Sequence, residues 1–444
     1  MAAARYPETH VFYRSLVKDH PRIVRGEGCW LEDDEGRRYL DGCAGAYVAC
    51  LGHGVREVVD AVADQIRRVA YVSGMSFTNE AAEELADALA AHALGDLDRF
   101  YFLSSGSDAI EAALKLARQY WVEAGRPEKS VVVAMTPGYH GNTLLALSVS
   151  AREHYRRLFE PWLVPVERVP APLAYHCPCR GDDPDCPRCS GRALEDAILA
   201  VGPERVAAFI AEPVGGSSTG AAVPRPHYWK TVREICTRHE VLWIADEVLT
   251  GAGRTGTWSA LEPYGTVPDL QVLGKGISGG YAPLAAVAAP RRLLDPLARG
   301  SGGLLHAQTF SHTPMMCAAG LAVVRYLDRH NLVGRARGMG CILHRKLEEL
   351  RAHPLVGDIR GRGLLAGIEL VADRDTRAPF PRSARLAERL SEAARAAGLM
   401  VWPNVGHVNG TDGDLVVIAP PFIISEPEID EIVARLSRAL EEVS

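Results

Sequence analysis

Between residues 99 and 289 short apolar runs alternate with stretches of helical period. "RFYFLSS", "SVVVAMT", "VAAFIAEP", "VLWIADEV", "DLQVLG" and "PLAAVAA" are four to eight residues long and too continuous for a half-solvated surface. "DAIEAALKLARQYWVEAG" and "HYWKTVREICTRHE" space their apolar residues three and four apart, and the first stops at Gly125. Strands alternating with amphipathic helices predict an α/β domain whose mostly parallel sheet is covered on both faces. Upstream, Val58, Val59, Val62, Ile66 and Val69 and then Ala82, Leu85, Leu89 and Leu94 predict two helices broken near Gly74. "GCWLEDDEGRRYLDGCAG" predicts a small hairpin about Asp-Asp-Glu-Gly. Past residue 325 helices are expected over 314–329, 336–352, 382–397 and 426–443, with "GDIRGRGLLAGIELV", "LMVWP" and "LVVIAPP" as strands: a smaller α+β domain. The expected division is 1–57 as a segment packing with the small domain, 58–325 as the large domain and 326–444 as the small one.

Composition changes this picture little. The 444 residues are 47% apolar and 23% charged, ordinary for a globular chain long enough to bury a large core. The net charge of −6 argues against a general nucleic-acid binder. "MAAARYPETHVFYRSLVKDH" has no apolar core of the signal-peptide kind, and no run nears the roughly 20 apolar residues of a membrane helix. The expectation is a cytoplasmic protein with reduced thiols.

In a parallel α/β sheet ligands bind beyond the carboxyl ends of the strands. At those ends stand Ser105-Gly106-Ser107 opening a helix, Tyr139-His140-Gly141, Glu212, Asp246-Glu247-Val248 and Lys275. Each has an ordinary structural reading: a helix cap, loop packing, a capped strand end, a solvated lysine. Together they describe one ligand. Backbone N–H groups and hydroxyls at a helix start hold a phosphate, Tyr139 stacks on a flat ring with Val248 on the other face, Asp246 pairs with a cationic ring nitrogen, and Lys275 takes an aldehyde. That ligand is pyridoxal 5'-phosphate. The glycines of "VLGKGISGGYAP" let the backbone approach it closely.

With "YLDGCAGAYVACLGHG", "SSGSDAIEAALKLAR", "PGYHGNTLLALSVS", "AEPVGGSSTG", "LWIADEVLTGAGRTG", "LGKGISGGYAPLAAV", "HAQTFSHTPMMCAAGLAV" and "DIRGRGLLAGIEL", nearly the whole chain resembles the class-III aminotransferases of the fold type I, omega-transaminase-like group. The resemblance implies transfer of an amino group from an amine or omega-amino acid to a keto acid such as pyruvate or 2-oxoglutarate. Lys275 would form the internal Schiff base and shuttle protons, and Asp246 would keep the ring nitrogen charged. Ser105, Gly106, Ser107, Tyr139, His140, Glu212 and Val248 would hold the cofactor. Thr309 would reach the phosphate of the neighbouring subunit, which implies a homodimer with shared sites. Tyr47, Cys43 and Trp402 occupy substrate-pocket positions. His312 either lines the partner's pocket or packs. The same machinery serves racemases, epimerases, aminomutases and decarboxylases, which form the alternative.

The chain departs from the family in "MVWPNVGHVNGTDGDLVVIAPP", which lacks the arginine that many members swing onto a substrate carboxylate. Carboxylate recognition then falls to a backbone donor, His407 or Arg254, and the donor is expected to be apolar or amphipathic; Arg254 itself reads better as structural. "HCPCRGDDPDCPRC" places Cys177, Cys179, Cys186 and Cys189 in a Pro-rich insertion. Its second half has zinc-knuckle spacing and its first half is tighter than usual. A metal-free loop is expected there, with a structural zinc as the alternative, and no metal is expected in the active site. A zinc-dependent binding protein built on this cluster is the rival from another class.

Overall fold

The computed structural model describes residues 6–179, 183 and 185–444. Its centre is a seven-stranded sheet of β4 (Arg99–Leu103), β5 (Val131–Thr136), β6 (Glu167–Pro170), β7 (Val206–Ala211), β8 (Leu242–Glu247), β9 (Leu270–Leu273) and β10 (Ala285–Ala289), in the order β4-β10-β9-β8-β7-β5-β6. β10 runs antiparallel to β4 and β9, and the other neighbours pair in parallel.

Every residue of β7 and β8 is buried. Their side chains alternate between two cores. Ala208, Ile210, Leu242 and Ile244 pack with the helix Gly106–Glu123, while Phe209, Ala211, Trp243 and Ala245 pack with the helix Tyr228–Arg238. Trp229 stacks on Trp243 with ring centroids 5.2 Å apart. Layers on both faces are what continuous apolar strands require.

Two smaller sheets complete the fold. β1 (Ile23–Glu27), β2 (Trp30–Asp33) and β3 (Arg38–Asp41) are joined by β13 (Leu399–Met400), which pairs in parallel with β3. β11 (Val356–Gly361), β12 (Ala366–Leu370), β15 (Asp414–Ile418) and β14 (Trp402–Val405) form the other, antiparallel throughout. One core spans both, from Leu40 and Leu51 to Ile432 and Leu440. The N-terminal hairpin therefore shares its core with the C-terminal strands.

Several element bounds differ from the sequence expectation for local reasons. The first sheet helix starts at Gly106, not Asp108, because Ser105 caps it by accepting from the Asp108 N–H. The helix expected from 382 starts at Leu386, after a 3-10 turn that ends at Arg385 with φ of 50°. That expected from 336 begins at Leu332 and passes into a 3-10 turn at Glu348–Ala352. β6 lacks a clear apolar run, and as an edge strand paired only with β5 it tolerates Pro170. Among the described residues no helix is long and apolar enough to cross a membrane.

Candidate functional site

β4, β5, β7, β8 and β9 all deliver their carboxyl ends to one edge of the sheet. A cavity of about 310 Å³ opens there, within the range of small-molecule sites. Ser105, Gly106, Ser107, Tyr139, His140, Glu212, Asp246, Val248, Lys275, Tyr47 and Trp402, singled out from the sequence, all line it.

The two adjacent acids of β8 part because strand side chains alternate. Asp246 follows Ile244 to the cavity side. Glu247 goes the other way, fully buried among the Ala260 N–H at 2.7 Å, Gln271 Nε2 at 2.9 Å, and the Ser259 and Thr250 hydroxyls. Burial raises its pKa and those donors oppose the rise. Asp246 Oδ1 accepts from the Val248 N–H at 3.0 Å, and Oδ2 lies 2.7 Å from His140 Nδ1. His140 is itself 3% exposed and held by its N–H on the Ser150 hydroxyl at 2.8 Å. The carboxylate is thus aimed from two sides.

Lys275 opens a 3-10 turn straight after β9, at φ of 42°. Lys275 is part-buried and lines the cavity. Burial lowers its pKa, opposed by the charges of Asp246 and Glu212. Nζ lies 5.8 Å from the centroid of the Tyr47 ring. Glu212 accepts from the N–H groups of Tyr139 at 3.2 Å and Gly216 at 2.8 Å and from the Ser218 hydroxyl at 2.8 Å; burial first, then Asp246, raises its pKa, with His140 opposing.

Two glycines are required by close approach. A Cβ on Gly106, the first residue of the 18-residue helix, would lie 2.9 Å from Val248 Cγ1. One on Gly141 would lie 2.4 Å from Ser107 Oγ, and its φ of 136° excludes ordinary side chains. The helix start, with the Ser107 hydroxyl beside it, therefore opens into the cavity uncovered. This set fits pyridoxal phosphate: anion donors at one end, an aromatic and an aliphatic wall in Tyr139 and Val248, a fixed carboxylate, and an amine with lowered pKa.

Other residues lie elsewhere. Cys43 does not line the cavity; it is 2% exposed, with its thiol turned to the Gly45 carbonyl at 3.1 Å and to Asp41. His407 is buried against Glu369, 2.9 Å away. Arg254 is buried under Phe422 and donates to the carbonyls of Leu364 and Pro420. Neither lines the cavity, because each is held by the packing between sheets. His312 packs edge-on against Tyr101 and Phe102. Thr309 is exposed and outside this chain's cavity, its carbonyl accepting from the Tyr71 hydroxyl at 3.0 Å.

The cavity also holds two cations that the motifs do not flag. Arg152 is 9% exposed and lies over the rings of Tyr155 and Tyr139, at 4.8 and 5.6 Å. It bonds Asn404 and, at 3.4 Å, the Ser217 hydroxyl, while its Nε has no hydrogen-bond partner among the described residues. Arg14 stands at the rim, bonded to the Tyr155 hydroxyl. The one sequence signal for Arg152 is its place just past the apolar stretch Leu144–Val149, in the loop that follows the Tyr-His turn.

Comparison with known proteins agrees with this geometry. The family model "Aminotransferase class-III" matches residues 14–440. An uncharacterized aminotransferase of Schizosaccharomyces pombe is 39% identical over 98% of this chain and 95% of its own. A putrescine–pyruvate aminotransferase of Pseudomonas aeruginosa is 32% identical over 97% of this chain and 93% of its own. Among solved structures, an (S)-enantioselective omega-transaminase from Thermomicrobium roseum superposes with a TM-score of 0.91 at 34% identity, covering 98% of this chain and 97% of that one. An amine transaminase from an uncultivated Pseudomonas species, solved with pyridoxal phosphate bound, gives 0.91 at 32% identity with both chains fully covered. The chain belongs to the class-III aminotransferases, which use pyridoxal phosphate to transfer amino groups to keto acids.

Proposed function

We propose that this enzyme takes its amino group from an amine or omega-amino acid with an apolar body, and that Arg152 receives the carboxylate of the keto acid acceptor. The observation that carries this reading is the guanidinium of Arg152, a cation in the cavity wall that lies over the Tyr155 and Tyr139 rings and meets no carboxylate among the described residues. A guanidinium in a cavity wall offers a charge-assisted hydrogen bond to a substrate carboxylate. Tyr47, Trp402 and Leu249 give the same cavity an apolar side for the donor, with the Tyr47 and Trp402 rings 5.5 Å apart.

Bound pyridoxal phosphate supplies an aldehyde that takes up amines and a cationic ring that accepts the electron pair left when the donor carbon loses its proton. The residues do the rest. Gly106 and Ser107 would anchor the phosphate, and Tyr139 and Val248 would wall the ring on either side. Asp246, aimed by His140, keeps a proton on the ring nitrogen. Lys275 Nζ, as free base, takes the proton from the donor carbon and returns one to the acceptor carbon. Its lowered pKa favours that free base.

Replacing Arg152 with Met should raise KM for pyruvate or 2-oxoglutarate by about 10- to 100-fold, the size of one charged hydrogen-bonding contact. KM for an uncharged aromatic amine should stay near the wild-type value, and Arg152→Lys should restore part of the loss. A panel of donors and acceptors on the purified holoenzyme measures this split. Equal losses for amine and keto acid would rule out Arg152 as the carboxylate anchor.

The proposed assembly is a homodimer in which Thr309 completes the partner's phosphate site. Thr309 is exposed, and the surface beside it is apolar. Tyr71 and Phe310 meet edge-on with centroids 6.1 Å apart, and Met75 and Phe77 on the same loop as Tyr71 are 93% and 69% exposed. Such a patch marks an interface. Co-expression of Lys275→Ala and Thr309→Ala chains then creates one intact site per mixed dimer. Activity should exceed the sum of the two variants expressed alone; a simple sum would place Thr309 outside the site.

A further inference from the structure

We propose that Cys177, Cys179, Cys186 and Cys189 bind one zinc ion in a closed, structural site that clamps the insertion after β6 onto the strands behind the active site. The four sulfurs come from two separate pieces of chain, yet all lie within 4.8 Å of one another. Cys177 and Cys179 are 3.2 Å apart, Cys177 and Cys186 3.5 Å, and Cys179 and Cys189 3.5 Å. A disulfide needs about 2.05 Å. The edge of a zinc–thiolate tetrahedron with bonds of about 2.3 Å is about 3.8 Å, close to the observed separations.

The backbone supports the same reading. Cys186-Pro187-Arg188-Cys189 folds as one helical turn, with the N–H groups of Cys189 and Ser190 on the Cys186 carbonyl at 3.0 and 2.9 Å. Gly191, at φ of 89°, ends the turn and lets the chain leave under Val232 and Tyr228. This is how a Cys-x-x-Cys knuckle points two sulfurs to one side. Arg188, inside the knuckle, ties it to the opposing piece by donating to the carbonyls of Ala171 at 2.9 Å and His176 at 3.4 Å. Cys177 and Cys189 are 3% exposed each. Four cysteine sulfurs converging on the room for one ion, with half of them buried, match a structural tetrahedral site. A polynuclear iron–sulfur cluster would spread its ligands over several metals.

A second group of ligand-type residues, His176, Glu369 and His407, converges beside the first. Here the charge is already met. Arg360 Nη1 lies 2.6 Å from Glu369, His176 bonds the same carboxylate, and His407 Nε2 stands 2.9 Å from it. That cluster is an ion-pair network, and it shows what the zinc would hold in place. His176 precedes Cys177 directly and reaches Glu369 on β12. Arg360 in turn donates to the Thr219 carbonyl at 2.7 and 3.1 Å. Thr219 belongs to the loop whose Ser217 bonds Arg152 and whose Ser218 bonds Glu212. The knuckle thus braces the loop that forms one wall of the cavity, from outside it.

The test is metal analysis of the wild-type holoenzyme purified under reducing conditions. One zinc per chain by mass spectrometry, with an X-ray absorption shell of four sulfurs at about 2.3 Å, is the expected result. Lys275→Ala should keep the ion, which separates this site from the active site. The double variant Cys186→Ser, Cys189→Ser should lose it and melt about 5 °C or more lower, with kcat at 25 °C within about twofold of wild type. Should that variant not accumulate, titration of the wild-type thiols with a mercurial reagent should release one zinc per four thiols. A chain that stays below about 0.1 zinc after incubation with zinc chloride and reductant, a shell dominated by nitrogen and oxygen, or two mapped disulfides would overturn the proposal.

Discussion

Lys275→Ala should lower turnover by about 10⁴-fold or more, because one side chain both takes the cofactor's aldehyde and moves the protons. The measurement is single-turnover kinetics with a saturating amine donor, alongside circular dichroism and the zinc content. Retained turnover at even a tenth of wild type would end the lysine-centred mechanism. Stability offers an independent check on the same side chain. Burial lowers the pKa of Lys275 from its ordinary value of 10.5. Well below the folded value both the native and unfolded chains carry the proton, and the native state bears the full cost of the buried charge. As pH rises between the folded value and 10.5, the native chain sheds its proton first. The unfolded state then binds more protons, and stability rises. Cofactor-free Lys275→Ala should therefore be at least as stable as cofactor-free wild type at neutral pH, and that advantage should shrink as pH climbs toward 10.5. A variant clearly less stable at neutral pH would contradict a buried, disfavoured ammonium.

Asp246→Asn should reduce kcat by about 10²- to 10⁴-fold while leaving the fold and the cofactor content nearly intact. The substitution keeps an oxygen that accepts from the Val248 N–H and removes only the charge that holds a proton on the ring nitrogen. His140→Gln should give a smaller loss of the same kind, since His140 acts through the carboxylate it bonds at 2.7 Å. Both effects should fall on kcat more than on KM. The cofactor's absorbance in the variants reports its protonation directly. An Asn variant with wild-type kcat would show that the acid at 246 is a structural cap, as Glu247 is on the other face.

Much of the cavity lining was legible because a parallel sheet makes the end of each strand a place, and apolar runs are easy to bound. Five of the six runs end in residues that carry chemistry, each ordinary when taken alone: a glycine-serine helix start, a tyrosine-histidine turn, two carboxylates, a lysine. Their chemistry adds up before any distance is known. Period also locates most helices, since a buried face repeats every three to four residues. β6 escaped for the opposite reason. An edge strand of four residues with Arg168 and Pro170 in it carries no continuous apolar run.

The substrate side was not legible in the same way. Arg152 sits in a loop, and nothing in its neighbours marks it as buried; only the approach of Tyr155, Tyr139 and Asn404 makes it a wall of the cavity. Cys43 is close in sequence to Tyr47, yet a backbone with positive φ at Ala44, Gly45 and Tyr47 sends the ring to the cavity and the thiol away from it. His407 and Arg254 were candidates for carboxylate binding until their partners, Glu369 and the carbonyls of Leu364 and Pro420, were in view. The strand order, the reversed β10 and the pairing of β3 with β13 likewise depend on contacts between segments far apart in the chain.

By itself, then, the sequence determined which strand-end residues meet at one cavity, because residue type and strand-end position are local properties that survive without coordinates. The tertiary structure decided which cations line the cavity, which thiols converge on one point and which surface is left apolar. Those depend on side-chain direction and on long-range packing, and neither is written in the spacing of residues along one segment.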